Sequence, residues 1–208
     1  GSGQVNYYIL DLEWNGAYSQ KWRRYVNEII EIGAVRLNQN LDVADTFSVL
    51  IKPVIGKKIS QTVSDLTGIT QQEVEGGYTF AGAVAGLRKW IGKQQSQTAI
   101  LTWSRSDLTV LLENCRYFMK LEHIPFLEFY ADVQGYCEQK LSIGAGEKLA
   151  LDTAVQLLEI ADTGHSHRAL DDCIQTAAVL KKLYDPVSFT PHLRLADQLF
   201  YDELNFKP

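Results

Sequence analysis

The sequence predicts an α/β fold in one domain: a mixed five-stranded sheet flanked by helices. Three observations carry this reading. Apolar runs rich in β-branched and aromatic residues come first and are separated by turn residues, so the chain opens with adjacent strands. Beyond Pro53, segments with apolar residues at helical spacing alternate with further strand-like runs, the pattern of a sheet covered by helices. The length, 208 residues, suits one sizeable core and is short for two, and 46% hydrophobic with 22% charged residues is an ordinary globular composition.

The first strand is Tyr7-Tyr8-Ile9-Leu10-Asp11-Leu12-Glu13-Trp14, an apolar, aromatic-rich run that ends in two carboxylates. A polar stretch, Asn15–Asn27, reads as irregular. The second strand, Glu28–Leu37, turns at Asn38-Gln39-Asn40 into a third, Thr46–Lys52, which Pro53 stops. These three are expected as an antiparallel meander. Two short helical pieces follow, around Ser64–Leu66 and Gln71–Val74, then a helix from Thr79 to about Lys93 with Phe80, Val84, Leu87 and Ile91 on one face. The strand Ala99–Trp103 passes through Ser104-Arg105-Ser106 into a helix that starts at Asp107. A fifth strand is expected within Phe126–Val133, with helices over Val133–Gln139, Lys148–Leu158 and Arg168–Tyr184. The organisation is then Gly1-Ser2-Gly3 as an expression scar, a domain over 4–186, and a packing arm over 187–208. In that arm Leu193, Leu195, Ala196, Leu199 and Phe200 are spaced like a short amphipathic helix, which packs on the domain or makes a dimer contact.

Composition limits the function. No run of about 18 apolar residues exists to span a membrane, and no signal peptide is recognisable. Cys115, Cys137 and Cys173 are odd in number and lack Cys-x-x-Cys spacing, which suits reduced core residues of a cytoplasmic protein. A net charge of −5 argues against holding nucleic acid mainly by bulk electrostatics. Local basic groups do occur at Lys21, Arg23 and Arg24 and at Lys57 and Lys58, each readable as solvated surface or as a phosphate contact.

Chemistry concentrates in five residues. On a strand, Asp11 and Glu13 project to the same side. Buried together they repel each other and lose hydration, and a divalent cation with a preference for hard oxygen ligands relieves both penalties; a solvated strand end is the plainer alternative. Asp107 follows a strand at the mouth of a helix, where α/β sheets present ligand groups and where a carboxylate also serves as a cap. His167 and Asp172 form His-x-Ala-x-x-Asp at the start of the last long helix. Ala169, Asp172, Cys173 and Thr176 share a face of small residues, so that helix can lie close to the sheet and bring Asp172 towards Asp11. Asp171 points elsewhere on the helical wheel, and His165 has no such partner in sequence.

In this order the residues resemble the DEDDh branch of the DnaQ-like 3′–5′ exonuclease superfamily, on a ribonuclease-H-like fold. Ile29-Ile30-Glu31-Ile32-Gly33-Ala34-Val35 is similar to the family's second strand. Leu66-Thr67-Gly68-Ile69-Thr70 with Val74 and Thr79-Phe80 resembles its segment before the second carboxylate, and His167-Arg168-Ala169-Leu170-Asp171-Asp172 resembles its third motif. The likeness covers roughly residues 5 to 185. It implies two Mg²⁺ or Mn²⁺ ions about 4 Å apart around a scissile phosphate, with Asp11 bridging both. Glu13 and Asp172 would bind the ion that carries the attacking water, Asp107 would support the other, and His167 would take the proton. It also implies that Leu12 lines the nucleotide pocket through its backbone. Trp14 would stack on the terminal base or serve as a core or lid aromatic, while Trp103, ending a strand, reads as core.

The expected partners are single-stranded RNA or DNA 3′ ends, with a 5′-nucleoside monophosphate as product. Thr102-Trp103-Ser104-Arg105-Ser106-Asp107 departs from the His-Asn-x-x-Phe-Asp form usual in proofreading subunits. It is similar to the subgroup of KapD-like bacterial proteins and the eukaryotic exonucleases that trim histone-mRNA and small-RNA 3′ ends, which favours RNA. A proofreading-type exonuclease, an oligoribonuclease, a catalytically silent binding or scaffolding protein, and a metal hydrolase that is not a nuclease stay open as alternatives.

Overall fold

Val5–Ser19, fifteen residues, form β1, twice the length that its apolar run suggests. The structure is a computed structural model describing residues 5–92, 97–162 and 167–199. β1 pairs antiparallel with β2, Arg24–Leu37, in a ribbon that continues to Ser19 opposite Arg24. The expected irregular segment Asn15–Asn27 is therefore an ordered hairpin. Its signal was hidden because polar and small residues occupy the buried phase: Asn15, Ala17 and Ser19 are buried and alternate with exposed Gly16, Tyr18 and Gln20. The polar ones are satisfied. Asn15 Oδ1 accepts the Ser60 N–H at 3.0 Å, and Ser19 Oγ bonds the Tyr117 hydroxyl at 2.9 Å and accepts the Trp22 N–H at 3.0 Å.

The meander is completed by β3, Val43–Leu50. On its other side β1 pairs in parallel with β4, Gln97–Thr102, and β4 pairs in parallel with β5, Phe129–Asp132. The sheet order is β3-β2-β1-β4-β5-β6, so the five expected strands are joined by a sixth, β6, Arg194–Leu195, antiparallel to β5. Two residues are too few to carry a strand pattern.

Helices cover both faces. α1 (Gln61–Thr67) and α2 (Gln71–Glu75) start on the capping residues Ser60 and Thr70, and α3 (Phe80–Ile91) starts on Thr79, as hydroxyl N-caps allow. Phe80, Val84, Leu87 and Ile91 are all buried, which bears out the expected face; Lys93 lies outside the described residues. α3 and α4 (Ser106–Met119) pack on Tyr8, Leu10 and Leu12. α5 (Val133–Lys140), α6 (Leu151–Leu157) and α7 (Ala169–Leu183) pack on the opposite face with Ile9, Val35 and Leu101. Cys115, Cys137 and Cys173 are free and buried. In the C-terminal segment Leu199 is buried in the first core and Leu195 is exposed, while Phe200 lies outside the described residues.

Candidate active site

The carboxylates meet where the pairing of β1 changes. Its parallel partner β4 stays beside it as far as Ile9 opposite Leu101, and Asp11 and Glu13 lie just beyond. Here, outside the carboxyl ends of parallel strands, α/β sheets form clefts. Asp172 arrives from the first turn of α7, and carboxylate oxygens of Asp11, Glu13 and Asp172 all lie within 4.8 Å of one another. Asp107, buried in the first turn of α4, stands outside that trio but close enough to act on Asp11 electrostatically. The N-cap residue Arg105 makes no side-chain capping bond, and the Asp107 carboxylate takes backbone hydrogen bonds from Leu12, Ser104 and its own N–H at the start of the helix. His167 directly precedes the N-cap residue Arg168, and its φ of 74° places a non-glycine residue in the left-handed region. That conformation costs on the order of 1–3 kcal/mol and is typical of functional sites.

Three contacts fix α7 against the sheet. Gly33, opposite Asp11 in the ladder, has no side chain where an added Cβ would stand 2.5 Å from the Leu170 nitrogen and 2.7 Å from the Ala169 carbonyl carbon. A glycine inside a strand often marks such an approach. Cys173 points its thiol at the carbonyls of Gly33 (3.3 Å) and Ile9 (3.6 Å). Glu31, directly across from Glu13 and only 1% exposed, accepts the Ala169 N–H at 2.9 Å and two bonds from Arg168, 3.0 Å from Nε and 2.6 Å from Nη2. A buried carboxylate thus caps the helix and pairs its N-cap residue.

Glu31 is the positioning group that sequence reading missed. The signal was there: a lone charge within the apolar run Ile29–Val35, with Arg168 as the basic residue beside the His-x-Ala-x-x-Asp motif. The small-residue face of α7 behaves as expected, with Ala169, Cys173 and Thr176 all buried.

The electrostatics are those of a cation site. Burial, reinforced by the charges of Asp107, Asp172, Glu13 and Glu31, holds Asp11 well above the usual carboxylate range. Burial and the charges of Asp172, Glu31 and Asp107 push Glu13 up to about 8. Asp107 rises to about 7 through burial, although backbone hydrogen bonds from Leu12 and Ser104 pull it down. Asp172 rises to about 6, again through burial, opposed by a backbone hydrogen bond and the nearby charge of His167. Asp11 Oδ2 is sealed from solvent and has no hydrogen-bond partner. A buried, unpartnered carboxylate oxygen among like charges is the environment that a hard divalent cation relieves. The donor set therefore fits Mg²⁺ or Mn²⁺.

Leu12 is buried in the first core, and the half-buried Trp14 packs against that core. Trp103 packs on the second core as expected. His165 lies outside the described residues. A large cavity lined by Tyr7, Arg36 and Tyr184 opens near the other end of β1, and none of the five site residues lines it.

Comparison with known proteins gives the family. Residues 8–180 match the family model described as Exonuclease. A Bacillus subtilis protein named probable 3′–5′ exonuclease KapD is 31% identical over 181 residues, which cover 85% of this chain and 83% of KapD. ERI1 exoribonuclease 2 of Xenopus laevis is 27% identical over 85% of this chain, which spans only 28% of that protein. Among solved structures, the nuclease domain of 3′hExo, a DEDDh family member bound to rAMP, superposes with a TM-score of 0.72 over 90% of this chain and 95% of that one. It is 22% identical and shares the fold. The family match spans most of the sequence, and the chain belongs to the exonuclease family.

Proposed function

We propose that this chain removes nucleotides one at a time from the 3′ end of single-stranded nucleic acid, RNA in preference to DNA, and releases 5′-nucleoside monophosphates. The observation that carries the reading is the convergence of Asp11, Glu13 and Asp172 within 4.8 Å around the unpartnered Asp11 oxygen. The RNA preference is supported by the relative named an exoribonuclease and by the structural neighbour bound to rAMP.

Asp11, Glu13 and Asp172 would hold two divalent cations, Mg²⁺ or Mn²⁺, with Asp107 in support. When bound, such ions polarise the phosphoryl oxygens, lower the pKa of water and stabilise the charge on the leaving oxygen. His167, beside Asp172 at the edge of the site, takes a proton from the attacking water, the general-base task for which an imidazole is most often used. The new bond joins the water oxygen to phosphorus, the bond from phosphorus to the upstream O3′ breaks, and the O3′ takes a proton from solvent, so that the shortened strand leaves with a 3′-hydroxyl. Leu12 and Trp14 flank the position of the terminal nucleoside, and Trp14 offers a ring for stacking, which tolerates any base.

The test is a time course on 5′-labelled single-stranded RNA and a matched DNA, with Mn²⁺ or with chelator, and Asp11→Ala as control. A metal-dependent ladder that shortens from the 3′ end, absent in the variant and faster on RNA, is expected. A faster DNA ladder would reverse the sugar preference. No ladder on either polymer, from folded and metal-loaded protein, would refute the reading.

A further inference from the structure

The basic groups singled out in the sequence play no part in the carboxylate site, yet the fold gathers them at the β1–β2 hairpin and the loop beside it. We propose that the tip of the β1–β2 hairpin is an accessory platform that grips the substrate strand several nucleotides upstream of the 3′ end by stacking and phosphate contact. The proposal rests on the exonuclease reading and states where the rest of its substrate lies.

Placement comes first. β1 parts from β4 after Ile9, whereas its pairing with β2 runs on to Ser19, so the ribbon continues past Asp11 and Glu13. Six residues from Glu13 to Ser19, at about 3.3 Å each, put the tip roughly 20 Å from the carboxylates. Side chains alternate along a strand, so Trp14, Gly16 and Tyr18 share one face. That face, opposite the one that carries Asp11 and Glu13, leads from the half-buried Trp14 past a position without a side chain to a ring at the tip.

The chemistry of the tip is that of a single-strand site. Lys21, Arg23 and Arg24 are exposed at the turn of a chain whose net charge is −5. Tyr18 and Tyr25, 47% and 71% exposed, face each other across the ribbon with ring centroids 5.4 Å apart. Beside the ribbon, the loop with exposed Lys57 and Lys58 is tied down by the buried Glu28, which accepts N–H bonds from Val54, Ile55 and Gly56 at 2.6, 2.9 and 2.9 Å. Cations interleaved with aromatic rings bind single strands by phosphate contact and by stacking that is indifferent to sequence. The carboxylate centre meets a phosphate only through its cations, so upstream phosphates of a long strand are gripped by basic side chains elsewhere.

The platform is also rigid. Trp22 packs edge-on to Tyr117 at 4.7 Å, the Arg24 guanidinium lies 4.7 Å over the Trp22 ring, and the Lys21 ammonium lies 4.9 Å from the centre of the Tyr117 ring. Arg24 also meets Glu113 at 3.5 Å. An exposed pair of that kind is weak and can be exchanged for a phosphate. Little ordering remains to be done on binding.

The test compares the wild-type chain with Tyr18→Ala/Tyr25→Ala and Arg23→Ala/Arg24→Ala double variants, each checked for an unchanged melting temperature. The probes are fluorescein-labelled single-stranded RNAs of about three and about twenty nucleotides, the longer exceeding the roughly 4–16 nucleotides of typical single-strand sites. Binding is read by anisotropy in chelator and hydrolysis in Mn²⁺. Both variants are expected to weaken binding of the long RNA by about tenfold or more, and to lower the long-to-short ratio of kcat/KM to match. The arginine variant should flatten the salt dependence of log K by about 0.7 per lost phosphate contact. Equal affinity of variant and wild type for the long RNA, or an equal loss on long and short strands, overturns the platform. If wild type cleaves neither RNA nor DNA while the variants still lose long-strand binding, the exonuclease reading fails and the platform stands.

Discussion

Gly33→Ala moves the site without touching a titratable group. The new Cβ would sit 2.5 Å from the Leu170 nitrogen, 2.7 Å from the Ala169 carbonyl carbon and 3.0 Å from the Ala169 Cβ. Comfortable contact needs about 3.5 Å, so the first turn of α7 must retreat by about 1 Å. The obstacles are backbone atoms or a Cβ, which no rotamer change can clear. Because Gly33 lies opposite Asp11 in the ladder and Leu170 is two residues before Asp172, the retreat falls on the distance between those carboxylates. Overpacking of this kind costs about 1–3 kcal/mol, and a chain of this size loses about 2–4 °C of melting temperature per kcal/mol. A misplacement of about 1 Å at reacting groups can cost 10²-fold in rate. The assay is single-turnover hydrolysis of labelled RNA together with Mn²⁺ titration calorimetry and thermal melting. Gly86→Ala is the control. Its Cβ would meet only Phe47 at 3.9 Å, and in the interior of α3 alanine should stabilise by about 0.5–1 kcal/mol with no loss of rate. A Gly33→Ala protein with wild-type turnover and Mn²⁺ affinity would refute the idea that this contact sets the spacing of the site.

Other outcomes follow from the same geometry. Glu31→Gln keeps the shape of the side chain but removes the charge that binds Arg168 and caps α7; a loss of about 2 kcal/mol is expected in denaturant unfolding, with weaker Mn²⁺ binding, and unchanged values for both would remove Glu31 from its positioning role. His167→Ala should melt like wild type and bind Mn²⁺, yet lose about 10²–10⁴-fold in turnover; wild-type turnover would take the imidazole out of the proton path. The raised carboxylates give metal-free protein a signed pH dependence. Folded Glu13, Asp107 and Asp172 hold protons up to about 8, 7 and 6, whereas the unfolded chain releases them near 4. The folded state binds more protons in that window, so stability falls as pH rises from about 4 to 8. Mn²⁺ at about 100 times its Kd should restore about 2.7 kcal/mol per site at pH 8, and a flat melting profile between these limits would contradict the burial of the cluster.

The site was more legible in the sequence than the path that assembles it. Asp11 and Glu13 are two residues apart on a strand, so their shared face follows from the pleat. Asp172 needed an extra inference, that small residues on α7 permit a close approach, and the buried Ala169, Cys173 and Thr176 match it. The partner surface, Gly33, stood inside a strand pattern where its missing side chain reads as weakness until the helix is in place. Glu31 and Arg168 lie 137 residues apart, and no local period announces such a pair. The hairpin from Asn15 to Asn27 was illegible for another reason. Its buried phase carries Asn15, Ala17 and Ser19, and those polar atoms are acceptable inside only because Ser60 and Tyr117 reach them.

The burial of the acidic residues has a further implication for how the fold is held. Two kinds of buried carboxylate stand side by side on the β1–β2 ladder. Glu28 and Glu31 are satisfied: one by three loop N–H groups, the other by a guanidinium and a helix N–H. Asp11 is not, since its Oδ2 is shielded from solvent and has no protein donor. Burying an ionised group without a partner is far more costly than burying one that is paired. The satisfied pair therefore shapes the surroundings, fixing the loop beside the ribbon and the start of α7, while the unsatisfied residue is left for a ligand to complete. Replacing Glu28 should loosen the loop at Val54–Gly56, whereas replacing Asp11 by Asn should raise the metal-free melting temperature at pH 8 while abolishing turnover. A metal-free Asp11→Asn protein less stable than wild type at that pH would mean that the carboxylate is already partnered and that the cation is not what it lacks.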